Sequence, residues 1–141
     1  MSRLALLITL QALLVSGVMA QRPLTLLVGA EQLGAFTNLI QDRGLGETVT
    51  LEKGWISVAF LDLWWPELAE DLTVGHHRFP AKCVGRRLEL TQELAPGPRG
   101  RLRSWTLMGA CPVACEVEAH DGEKISLRSL TLRVQGVGAA L

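Results

Sequence analysis

The strongest constraint on the fold lies near the C-terminus, where CEVEAH is followed by Asp121-Gly122 and then by EKISL. Alternating apolar and polar residues on either side of an Asp-Gly pair predict a tight antiparallel hairpin, because that pair tolerates the positive φ angles a two-residue turn needs. Cys115, Val117 and Ala119 share one face, Glu116 and Glu118 the other, and Ile125 and Leu127 answer across the turn. At Arg128-Ser129 the phase slips, since Leu130, Leu132 and Val134 continue on shifted parity. Such a slip predicts a bulge or sharp bend, a common way for a strand to turn a sheet corner.

A second hairpin precedes it. RRLELTQEL and RGRLRSWTLM flank the turn-rich APGPRG, and a register that sets Leu94 opposite Arg101 also sets Leu90 opposite Trp105 and Leu88 opposite Leu107. Further upstream, residues 24–29 form a short apolar run that reads as a buried strand, and residues 48–65 read as strand with a turn or bulge at Gly54. Between them, Leu33, Phe36, Leu39 and Ile40 recur at helical spacing and Gly44 offers a stop, which predicts a short helix. Pro66 followed by acids predicts a second short helix to about Leu72. Residues 73–85 show no clear period and read as loop or irregular edge strand, and the GVGAAL tail as frayed.

These segments favour a mainly β fold, an antiparallel β-sandwich or small barrel with one or two short helices, with α+β as the alternative. Residues 1–20 have the layout of a secretory signal peptide: Arg3, a run of Leu, Ile, Val and Ala, and small Val18 and Ala20 before a cut at Gln21. The expected organisation is therefore a cleaved leader over 1–20, a single β-rich domain over 21–141, a secreted or periplasmic location, and no stable membrane span after cleavage. Lys and Arg total 14 and Asp and Glu 14, so bulk charge recruits no nucleic acid.

Export places the three cysteines, Cys83, Cys111 and Cys115, where pairs form disulfides and one thiol is left over. Fully extended, Cys111 and Cys115 would stand roughly 13 Å apart at about 3.3 Å per residue, whereas a disulfide needs roughly 4.4 to 6.8 Å. Pro112 is read as shaping a turn that brings them together, so Cys111–Cys115 is the favoured pair. A Cys83–Cys115 bridge is its competitor, since the longer loop stabilises by about 3.7 kcal/mol against about 2. The odd cysteine opens a third route, a covalent dimer.

The same residues carry the alternative chemistry. Two thiolates and an imidazole suit Cu(I) or Zn(II), and Cys111, Cys115 and His120 supply them, with His76, His77 and Cys83 in reserve. Cys-Pro-Val-Ala-Cys resembles the Cys-Pro-x-x-Cys of the Sco-type copper chaperones of cytochrome oxidase assembly. That likeness covers five residues without a thioredoxin-like βαβ frame, and no function is carried over from it. Cys115 and His120 have opposite parity along one strand, which separates them, and adjacent His76 and His77 rarely converge on one ion.

The remaining candidates are surfaces. Arg99, Arg101 and Arg103 alternate and so project from one side of a strand, with Arg86 and Arg87 on the other arm; they read as a partner contact or as the solubilising charge of an edge strand. Trp64 and Trp65 read as one core residue and one outward anchor for a protein or glycan. No phosphate-binding glycine loop, His-Glu-x-x-His helix or nucleophile elbow occurs. The leading expectation is a non-catalytic binding or assembly module, without cofactor, contacting another protein or an envelope component. The alternative is a small copper-handling or thiol-redox protein using Cys111 and Cys115.

Overall fold

The computed structural model describes residues 23–42, 47–93 and 102–140. The leader, Gly44, Leu94, Arg99 and Arg101 lie outside the described residues. Among the described residues eight strands form one sheet: β1 (Leu24–Val28), β2 (Glu31–Asp42), β3 (Glu47–Ser57), β4 (Gly75–Arg78), β5 (Arg86–Glu93), β6 (Leu102–Asp121), β7 (Lys124–Val134) and β8 (Gly136–Ala140). Neighbours run β5-β1-β2-β3-β7, and β6 pairs with both β5 and β7, so six antiparallel strands close into a ring. Closure leaves these six strands without the open edges that make free sheets prone to aggregation. The mainly β expectation holds, with the barrel as the form it takes. No helix among the described residues is long and apolar enough to cross a membrane.

The 20-residue β6 is the spine. Along one side it pairs with β7 and then, in continuous register, with β8; along the other it pairs with β5 and β4 in turn. Residues 79–85 bridge β4 and β5, which pair in turn along the same side of β6. Inside the ring, Leu26, Leu51, Ile56, Leu88, Leu90, Leu107, Ile125, Leu130 and Leu132 are fully buried. At roughly 1.5 to 3 kcal/mol for each large apolar side chain, this cluster is the dominant stabilising term.

Several expectations meet the structure differently or in part. The helix expected over residues 30–44 is, as far as it is described, strand β2. Its three-residue spacing comes from bulging: Gly34 pairs with Leu26 and Gln32 with Leu27, so Leu33 is an extra residue that turns inward. Phe36 is buried and Ile40 is 48% exposed, which a helix with all four inside would forbid. The strand expected to continue to Trp65 ends at Ser57, and Val58–Asp62 is a helix, α1, with adjacent Phe60 and Leu61 both buried. Consecutive buried side chains do not fit a strand with one wet face. Its first N–H donates to Glu123 C=O at 2.9 Å, seating α1 at the β6–β7 turn end of the barrel. A 3₁₀ turn over Pro66–Asp71 then matches the second short helix.

The strand also runs straight through Gly54, and its backbone departs from strand geometry one residue earlier, at Lys53, with φ 53°. The tail is not frayed as far as it is described, because β8 pairs with Ser104–Met108. The terminal hairpin forms with its turn shifted by one residue. Asp121 pairs with Lys124, leaving Gly122-Glu123 as the loop, and only Gly122 has positive φ, at 60°. Glycine first in the pair is the requirement of a type II′ turn. The predicted Leu88–Leu107 and Leu90–Trp105 register is observed, as is the slip near Arg128. There β7 carries an extra residue, Arg128, between Ser129 paired with Glu116 and Leu127 paired with Val117.

Candidate functional site

The cysteines do not pair as favoured. Cys83 bonds Cys111, with Cα atoms 6.0 Å apart, and Cys115 is free and buried. Pro112 makes no turn. It lies inside β6, at a point where the register with β7 shifts between Pro112 and Ala114, a bulge being one of the few places a strand tolerates proline. Val113 is the extra residue, and it reverses the facing of the residues after it. Cys111 is opposite exposed Arg133 on the outer wall, whereas Cys115 is opposite buried Leu130 within the core. Extension and the reversed facing together keep Cys111 and Cys115 apart. Burial also pushes the Cys115 thiol up, from 9.0 to about 12, so it stays protonated and is a poor nucleophile and metal ligand.

The histidines serve the backbone. His77 Nε2–H donates to Thr73 C=O at 2.6 Å, and His120 Nδ1–H donates to Leu72 C=O at 3.1 Å. Two imidazoles on different strands thereby hold consecutive carbonyls at the exit of the 3₁₀ turn. His76 is exposed on β4. Among the described residues no group of three or more His, Cys, Asp or Glu is placed to hold a metal ion. The donor set of Cys111, Cys115 and His120 is thus not brought together, because its first sulfur is in a disulfide on the other face of the wall.

What the structure assembles instead is the loop over residues 79–85. Phe79 N–H donates to Val113 C=O at 2.9 Å, and its ring stacks on Trp65 at 5.3 Å with 8° between planes. Trp64 Nε1–H donates to Val84 C=O at 3.0 Å. Cys83 is tied to Cys111, and two residues further Gly85 lies flat against Gly109, two residues before Cys111. A Cβ on Gly85 would stand 2.7 Å from the Gly109 Cα, so only glycine permits that approach. The loop is pinned at both ends and twice between, yet it leaves Val84 82% exposed.

Two clefts flank this loop and meet at Ala81. The larger, about 660 Å³, is walled by Leu63, Trp64 and Trp65 on one side and Lys82, Val84 and Arg86 on the other. The smaller, about 180 Å³, lies between Arg78 and Phe79 and the Val113 and Arg133 segments. Arg86 Nε donates to Leu63 C=O at 2.9 Å, which sets its guanidinium at the rim. Neither lining contains a carboxylate.

The tryptophan expectation resolves at this point: Trp65 is core at 8% exposure, and Trp64 is half-buried in the cleft, braced edge-on by Phe60 at 5.0 Å. Arg103, the one described member of the arginine strip, stacks on its own strand's Trp105 at 5.2 Å. That stacking sits on a different part of the wall, in a cleft of about 190 Å³ shared with Asn38 and Gln92.

Reading the sequence alone missed this loop because its pieces are separated: the aromatic anchors lie near residue 64, the loop near 80 and the disulfide partner at 111. The available signal was the spacing Cys83-x-Gly85 and Gly109-x-Cys111, two short runs of reversed order that suit a close antiparallel approach. No protein-family model, curated protein or solved structure matches the chain.

Proposed function

We propose that this chain is an exported, non-catalytic binding module that contacts a protein partner through the disulfide-pinned loop at residues 79–85. The observation carrying this reading is a loop held by a disulfide, a tryptophan donor and a glycine contact that nonetheless presents Val84 to solvent between two clefts. Binding costs the ordering of whatever it immobilises, so a segment already fixed in place keeps more of its contact energy as affinity. A half-buried tryptophan beside arginine is also the residue pairing that dominates interface energetics. The leader-like residues 1–20 and a disulfide support an exported setting, where such bridges persist.

A photo-crosslinking residue placed at Val84 and expressed in the producing cell tests the reading. The expected result is one or a few discrete adducts that are absent when the same residue is placed at exposed Gln32 on β2. Equal labelling from both positions would contradict it.

A further inference from the structure

We infer that the partner segment is an extended acidic peptide with an apolar centre, lying across the loop so that it occupies both clefts. This deepens the binding reading above and rests on it. Lys82 and Arg86 border the large cleft, and Arg78 and Arg133 border the small one. All four are exposed, and none makes an ion pair among the described residues, where the pairs are Arg87 with Glu89 and Arg128 with Glu118.

A chain that balances 14 basic residues with 14 acidic ones has here concentrated four cations in two clefts without one carboxylate in their linings. Guanidinium groups recognise carboxylates through paired, directional hydrogen bonds. Charges facing each other across an interface also set specificity and on-rate. The cations share these clefts with apolar side chains: Ala81 joins the clefts, Val84 and Trp64 line the large one, and Val113, 36% exposed, lines the small one. The complementary occupant therefore has acids at both ends and one or two aliphatic side chains in its middle.

A peptide fits this alternation better than a nucleic acid or an anionic bilayer. Those ligands present closely spaced phosphates and call for a continuous basic stripe, whereas here each pair of cations shares its cleft with apolar side chains.

The test is a random 12-residue peptide display selection against the purified disulfide-bonded protein, followed by fluorescence anisotropy of the selected peptides. Enrichment of Asp and Glu on both sides of an aliphatic centre is expected. Lys82→Ala with Arg86→Ala, and separately Arg78→Ala with Arg133→Ala, should each weaken binding at least tenfold while leaving the far-ultraviolet dichroism of the folded protein unchanged, and raising salt from 50 to 300 mM should weaken the wild type similarly. Peptides enriched for apolar residues alone, indifferent to both double variants but lost in Val84→Arg, would overturn the acidic assignment and leave the loop as a binding surface. A selection with no enrichment, or tighter binding of a single-stranded oligonucleotide or phosphatidylglycerol vesicles than of any peptide, would overturn both.

Discussion

Cys115 shows how facing decides what a residue can do. It carries the same thiol as Cys111 four positions earlier, but the Val113 bulge turns it into the core, where it is 1% exposed. Its proton is held up to about 12 against 9.0 for an unhindered thiol, and this makes stability depend on pH. Below pH 9 both folded and unfolded chains keep the proton and the contribution to stability is complete. Above pH 9 the unfolded chain loses the proton first, so stability falls as pH climbs toward about 12, by about 1.4 kcal/mol per unit and about 4 kcal/mol in all. Denaturant melts of the wild type and Cys115→Ala between pH 8 and 11 should show the wild type losing stability more steeply. In the folded state at pH 8, iodoacetamide should leave Cys115 unmodified, and it should react once the chain is unfolded. Neither outcome was evident from the spacing Cys-Pro-Val-Ala-Cys, because a bulge leaves no local mark except the proline beside it.

At the scale of elements, the loop over residues 79–85 depends on close approach to β6. Gly85→Ala should push the loop away from Gly109, since the clash is with backbone that cannot swing aside. The expected cost is on the order of 2 kcal/mol, read as a lower melting temperature together with greater protease sensitivity after Lys82. Removing the bridge by Cys83→Ser and Cys111→Ser should cost roughly 3 to 4 kcal/mol, the chain-closure value for cysteines 28 positions apart.

The hairpins were legible beforehand for a physical reason. Leu88 and Leu90 alternate against Trp105 and Leu107, and period-two alternation carries register directly. The same rule failed for β2, whose extra Leu33 breaks the alternation and leaves Leu33, Phe36 and Leu39 at a spacing that imitates a helix. It failed again at Phe60-Leu61, where a helical turn buries neighbours that a strand would separate.

For the whole molecule, the mainly β character could be read from turn spacing, but ring closure could not, because it depends on β6 being long enough to hold β5 on one side and β7 on the other. Closure makes the core a single cooperative cluster. Leu130→Ala, at a fully buried position on β7, should therefore cost about 2 to 5 kcal/mol and shift near-ultraviolet dichroism and far-ultraviolet dichroism at the same denaturant concentration. A separate early transition would mean that the strands unfold in parts.

On the outer wall of this barrel, the bridge between Cys83 and Cys111 fixes the exposed loop and the clefts beside it. Proteolytic mapping of the unreduced protein, with alkylation during unfolding and fragmentation of the linked peptides, tests that arrangement most directly. The structure predicts a peptide containing Cys83 joined to Cys111, with the alkyl group on Cys115. A bridge between Cys111 and Cys115, with the alkyl group on Cys83, would contradict it.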